Sequence, residues 1–219
     1  MVKHLLFDCD GVLIDTEIVA AEVVSSWLQS IGVAIDLETY IRDYTGKTFT
    51  DIIKSLQSKG EIRENLALDT VIPELDATVR DNQRPISGVW DMLDSLKIQR
   101  SVVSNSAKDY VELALDKLSI TDHFQGRIFS ADMVEKGKPS PDVYLLALET
   151  LQLQPDEVIV IEDSRAGVKA ATAAGLEVIG FLGGSHVRDG LKASLQEAGA
   201  KSFAQNHQEL SERLAQYQG

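Results

Sequence analysis

Cysteine is almost missing from this chain: Cys9 is the single one in 219 residues. One thiol builds no disulfide framework within the chain and no multi-cysteine metal cluster. Basic residues are also in short supply, 21 Lys and Arg against 34 Asp and Glu, for a formal net charge of -13. Nucleic acids and anionic membranes need a basic face to displace their counterions, so neither is an expected partner. Nowhere does the sequence run for the roughly 20 apolar residues of a membrane helix. The opening stretch reaches Asp8 too soon for a signal-peptide apolar region, which gives a cytoplasmic location as the expectation. Internal repeats and low-complexity tracts are missing too. The oligomeric state is not readable from the sequence, and a monomer is the default.

What is present is an ordinary globular composition, 44% apolar and 25% charged. At about 150 residues per domain, the length suits one full domain carrying an insertion. Short apolar runs end in polar clusters: 5–7 before Asp8, 101–103 before Ser104 and Asn105, and 127–129 before Ser130. Two more follow, 158–161 before Glu162 and Asp163, and 178–181 before Leu182 and two glycines. Runs of β-branched and aromatic residues without alternation fit strands covered on both faces, as in a parallel sheet.

Helical patterns fill the gaps between these runs. Ser140 and Pro141 read as N-cap and first residue of a helix to Leu151, and Ser164 as the cap of a helix that Gly175 ends. Asn105 or Ser106 is the expected cap of a third. Strand–helix alternation of this kind predicts a doubly wound α/β fold with a parallel sheet core.

From about Thr16 to Arg84 the alternation stops, and the insertion is left near Pro85. Ala20, Val24, Trp27, Leu28 and Ile31 share one helical face, which Gly32 closes, and further helical patterns cover roughly 37–44, 49–58 and 65–80. The expected organisation is therefore a core of residues 1–15 and 86–219 with an all-helical cap, 16–85, inserted after the first strand.

Ligands of open parallel sheets bind beyond the carboxyl ends of the strands. Asp8, Asp10, Ser104, Asn105, Glu162 and Asp163 all occupy such ends, and Lys138 precedes a capped helix. Four carboxylates in one cleft repel each other unless a cation joins them, and hard oxygen ligands with room for water suit Mg²⁺. A serine hydroxyl, a helix N-terminus near Asn105 and the Lys138 ammonium complement a phosphate. Each residue alone reads as a cap or a solvated charge; their joint placement gives them meaning.

The stretch from Asp8 to Thr16, Asp-Cys-Asp-Gly-Val-Leu-Ile-Asp-Thr, resembles the first motif of the haloacid dehalogenase-like superfamily. Ser104-Asn105 resembles the second, Lys138-Pro139 the third and Glu162-Asp163-Ser164 the fourth. The order matches across nearly the whole chain, and the nearest likeness is to the β-phosphoglucomutase-like phosphatases. The resemblance implies a Rossmann-like core and a phosphatase acting on a small phosphoester, a sugar phosphate or phosphorylated sugar acid. It assigns Asp8 as nucleophile and Asp10 as acid and base. Mg²⁺ would be held by Asp8, the Asp10 carbonyl, Asp163 and, through water, Glu162. Ser104, Asn105 and Lys138 would bind phosphoryl oxygens, and Arg42, Lys47, Thr48 and Lys54 of the cap a second anionic group.

Three alternatives stand beside it. A true dehalogenase usually lacks a second carboxylate such as Asp10. A hexose-phosphate mutase would carry a histidine and an arginine where ungapped comparison puts Ala20 and Phe49. A non-catalytic phospho-acceptor of the receiver type needs no helical insertion. Cys9 is expected as an inert buried thiol, Trp27 and Trp90 as core packing, and His186 as a residue at the site rim.

Overall fold

The computed structural model describes residues 1–44, 47–62, 66–185 and 187–217; His186 lies outside them. Two compact units emerge, Met1–Asp15 together with Pro85–Gly219, and Thr16–Arg84. Pro85, expected above to close the insertion, bridges to Ile14 and belongs to the larger unit.

In chain order, β1 (His4–Phe7) leads into four helices of the smaller unit: α1 (Thr16–Ser30), α2 (Leu37–Tyr44), α3 (Phe49–Ser58) and α4 (Leu68–Asp81). The larger unit resumes with α5 (Val89–Ser95), β2 (Gln99–Ser104), α6 (Lys108–Lys117), α7 (Thr121–Phe124) and β3 (Ile128–Ser130). It continues through α8 (Asp142–Leu151), β4 (Val158–Glu162), α9 (Arg165–Ala173), β5 (Glu177–Phe181), α10 (Leu191–Ala198), β6 (Ser202–Ala204) and α11 (His207–Ala215).

The six strands form one parallel sheet in the order β3-β2-β1-β4-β5-β6. Both faces are covered, which explains the lack of alternation in the sequence. Leu5, Phe7, Ile159 and Ile161 pack on one side with residues of α5, α6 and α11, while Leu6, Val158 and Val160 pack on the other with residues of α8, α9 and α10. β6 was not foreseen: it has three residues, two of them half-exposed, so its apolar signal is weak. The chain reverses its direction of sheet growth between β1 and β4, and the crevice of such a fold opens there. Asp8 directly follows β1, and Glu162 ends β4.

In the smaller unit the buried face of α1 is Val19, Ala21, Val24, Ser25 and Leu28, which is turned from the one expected: Ile31 is 40% exposed. Leu28 joins Tyr40, Tyr44, Ile52, Ile53 and Leu56 in a core of that unit's own. Trp27 packs edge-on against Phe49. Trp90 corrects its expectation as core packing. It is 47% exposed, held by its indole N–H on the Leu118 carbonyl.

His4 is buried, its Nε2 2.8 Å from Ser101 Oγ. Burial, assisted by the Arg127 charge, lowers its pKa from 6.5 to about 4. Burial also lowers that of His207, against the Ser87 hydrogen bond. The unfolded chain therefore binds protons between these values that the fold refuses. The contribution to stability is complete above about pH 6.5 and is lost as pH falls toward 4. His4→Gln should flatten this slope, by at most about 3 kcal/mol and by less once solvent screening is counted. Urea denaturation across the range checks it; a wild-type slope in the variant would exclude His4 as its source.

Candidate active site

Three buried carboxylates meet beyond β1 and β4: Asp8, Glu162 and Asp163 each offer an oxygen within 4.8 Å of the others. Between two of them sits the Lys138 ammonium, itself buried. It donates to Asp8 Oδ1 at 2.9 Å, Glu162 Oε1 at 2.7 Å and the Val103 carbonyl at 2.8 Å. An ammonium has three protons, and all three are used.

Burial acts against the Lys138 charge, but Asp8 and Glu162 outweigh it and hold the pKa well above the usual lysine value. Burial pushes the Asp8 carboxyl up, Glu162 and Asp163 push it the same way, and Lys138 opposes them. Three buried carboxylates thus lie together with one fixed ammonium, which pairs with two of them. That donor set, hard, anionic and only partly neutralised, fits a divalent cation and can hold one.

Each group reaches the cleft through its strand. Asp8 is turned outward where β1 stops, and both its Lys138 contact and the Cys9 N–H fall on Oδ1. Gly11, at φ 79°, lets the chain turn back so that its N–H meets the Ile14 carbonyl. Cys9 is fully buried, and burial pushes its thiol well above the ordinary range. Asp10 accepts the Ser106 hydroxyl at 2.8 Å, and Ser106 N–H in turn donates to Ser104 Oγ.

Asn105 has a structural task for its side chain. Its side-chain oxygen accepts the Lys138 N–H at 2.7 Å, and its amide donates to the Lys138 carbonyl at 3.0 Å. The side chain clamps the Lys138 backbone with its oxygen and one amide proton. Neither Asn105 nor Ser106 caps α6. That helix begins at Lys108, whose N–H finds Asp132 instead. Gly137 makes the clamp possible: a Cβ there would lie 2.6 Å from Asn105 Oδ1 and 2.9 Å from Ala131 Cβ.

Other expectations are modified locally. Ser164 caps α9 through Gly167 N–H, and its hydroxyl also donates to Glu162 Oε2. Ser140 gives its hydroxyl to Asp142, so α8 begins one residue later than the Pro141 reading placed it. Tyr144, overlooked because it resembles a core position of α8, donates its phenol to Glu162 Oε1 at 3.1 Å. In the smaller unit, Arg42 forks onto neighbouring Asp43, Lys47 donates to the Asp43 carbonyl, and Thr48 caps α3. Lys54 is exposed.

Residues 5–181 match the family of haloacid dehalogenase-like hydrolases, well over half the chain. The chain belongs to that family. The hydrolase is 32% identical to the phosphorylated carbohydrates phosphatase of Thermotoga maritima over 95% of this chain and 97% of that one. It is 25% identical to the 6-phosphogluconate phosphatase of Escherichia coli, covering 84% and 85% of the two. The crystal structure of a HAD family hydrolase from Deinococcus radiodurans, with bound phosphate and sodium, matches with a TM-score of 0.86. Their identity is 30%, over 98% and 96% of the chains.

This hydrolase is an enzyme with an aspartate-based cluster of the phosphatase kind. No helix among its described residues is long and apolar enough to cross a membrane.

The clamp is testable. Asn105→Ala leaves the Lys138 N–H and carbonyl without their partners and should cost about 1–3 kcal/mol of stability. Thermal and urea denaturation would read it, and an unchanged midpoint would mean that the loop holds Lys138 without Asn105.

Proposed function

We propose that this hydrolase is a Mg²⁺-dependent phosphatase of small phosphorylated metabolites, working through an aspartyl-phosphate on Asp8. The observation that carries the reading is the buried Lys138 bridge between Asp8 and Glu162, at the point where the sheet reverses. Phosphoryl transfer needs positioning and charge neutralisation above all, and a fixed ammonium beside a carboxylate nucleophile supplies both.

Asp8 Oδ2, which takes neither the Cys9 nor the Lys138 hydrogen bond, attacks phosphorus while the ester P–O bond breaks. Asp10 gives a proton to the departing alkoxide. A water then attacks the phosphorus of the aspartyl-phosphate as Asp10 accepts its proton, the Asp8–phosphorus bond breaks, and inorganic phosphate leaves. Ser104 and the Asn105 main chain hold the phosphoryl oxygens, and Lys138 joins them by giving up one of the three acceptors it holds without substrate. Asp8, the Asp10 carbonyl and Asp163 would hold Mg²⁺, with Glu162 beside them; when bound, the ion neutralises phosphoryl charge and orients the ester. The Ser106 hydroxyl keeps Asp10 aimed while no substrate is present.

For the substrate, we favour a sugar phosphate or phosphorylated sugar acid. The support is chemical and comparative: relatives act on phosphorylated carbohydrates and on 6-phosphogluconate, and the smaller unit carries Arg42, Lys47 and Thr48 close together in sequence. That unit would serve as the cap that grips the rest of the substrate. A mutase is disfavoured by Ala20 and Phe49.

A screen of phosphorylated metabolites for phosphate release, with and without Mg²⁺, tests the proposal directly. Chelation should abolish release and added Mg²⁺ restore it. Asp8→Asn should lower turnover by at least about a thousandfold, since uncatalysed monoester hydrolysis is exceptionally slow. Its circular dichroism should stay that of the wild type. Turnover retained in Asp8→Asn would sink the covalent mechanism. Arg42→Ala and Lys47→Ala should raise KM for sugar acid phosphates more than for p-nitrophenyl phosphate; equal effects would remove the cap from substrate choice.

A further inference from the structure

Glu162 is fully buried and accepts four hydrogen bonds. Lys138 Nζ and the Tyr144 hydroxyl fall on Oε1, at 2.7 and 3.1 Å; Ser164 N–H and Oγ fall on Oε2, at 3.1 and 3.0 Å. A carboxylate offers about four lone-pair sites, so this one is filled by the protein itself. Its placement is fixed because the four donors around it belong to three elements: the 138 loop, α8 and the start of α9.

Two residues outside the recognised motifs create that placement. Tyr144 is fully buried on α8, with its ring 5.4 Å from the Lys138 ammonium and its hydroxyl on the same Glu162 oxygen that Lys138 uses. It therefore touches both partners of the ion pair. Gly167 lies in the first turn of α9 in ordinary helical backbone, so its conformational freedom is not the reason for a glycine. Space is the reason: a Cβ at 167 would overlap the Glu162 carboxylate. The small residue lets the helix start close against a buried acid, and its N–H is the one that Ser164 caps.

We propose that Tyr144 and Gly167 are positioning residues for Lys138: they fix the Glu162 carboxylate, and Glu162 fixes the ammonium against Asp8. The inference rests on the reading of Lys138 as the phosphoryl-binding cation. Neither residue touches the reacting atoms. Their effect falls on how well the ammonium is aimed when charge moves onto the phosphoryl oxygens, a step sensitive to misplacement by an ångström. Ser104 and the Asn105 main chain also bind the substrate, and Asp8, the Asp10 carbonyl and Asp163 would hold the cation, so both affinities should change less than kcat.

The Tyr144→Phe variant keeps the ring and removes only the hydroxyl, so it should fold. With p-nitrophenyl phosphate, kcat should fall about tenfold or more while KM stays within about twofold. The Mg²⁺ dissociation constant, measured by calorimetry without substrate, should also stay within about twofold. In ¹⁵N-lysine-labelled protein, the Lys138 ammonium resonance, observable because the group is buried and hydrogen-bonded, should shift. Gly167→Ala should move the same resonance; if that variant does not fold, Tyr144→Phe decides alone.

An unchanged ammonium resonance in Tyr144→Phe overturns the proposal. So does wild-type kcat, or a loss of kcat matched by an equal loss of Mg²⁺ affinity, which would place the effect on the cation. A wild-type protein that hydrolyses no phosphoester would defeat the phosphatase reading, yet the resonance would still decide whether Tyr144 and Gly167 set the position of Lys138.

Discussion

A lysine ammonium buried in a protein must find a partner for each of its protons or lose its charge. Lys138 finds all three: Asp8, Glu162 and the Val103 carbonyl. Much of the architecture around the strand ends follows from that requirement. β1 ends where Asp8 can accept one proton, β4 ends where Glu162 accepts another, and the last residues of β2 turn a carbonyl inward for the third. Because β1 lies between β2 and β4 in the sheet, the three acceptors come from neighbouring strands. The strand order and the ion pair are two descriptions of one constraint.

Desolvating charges is expensive, and breaking a buried pair leaves an uncompensated ion behind. This accounts for the supporting polar atoms that surround the site without reaching any reactive position. Asn105 spends both side-chain groups on the Lys138 backbone, and Ser164 serves as helix cap and as donor to Glu162. Glycines at 137 and 167 leave room for side chains that would otherwise collide with a Cβ. Such a shell makes the Lys138 position rigid, and electrostatic help to a reaction is greatest when it needs no rearrangement.

The sheet was legible in the sequence because both of its faces are buried, which forces continuous apolar runs at β1, β2, β4 and β5. β6 escaped notice because an edge strand of three half-covered residues carries no such run. The acids and Lys138 were legible too, as polar residues in positions where strands end. What the sequence did not contain was the use to which each atom is put. Asn105 looked like a helix cap, yet the backbone N–H of a residue 33 positions away takes the side-chain oxygen that a cap would need. Tyr144 looked like packing, since an aromatic on the buried face of an amphipathic helix shows nothing of where its hydroxyl lands.

The acidic surplus of the chain takes on a different meaning once these commitments are known. A net charge of -13 repels a phosphate at long range, so the site must be attractive at short range. Lys138 is too deeply buried and too fully bonded to act as a general lure: its protons point at Asp8, Glu162 and Val103, not at solvent. It is suited to a phosphoryl group only after that group has come within reach of Asp8, when the oxygen that the ammonium already holds becomes part of the new bond's carboxylate. The cation that the acids can hold is the natural source of earlier attraction. On the proposed reading, such a site would separate capture from stabilisation, the first falling to a divalent ion held by the acids and the second to Lys138.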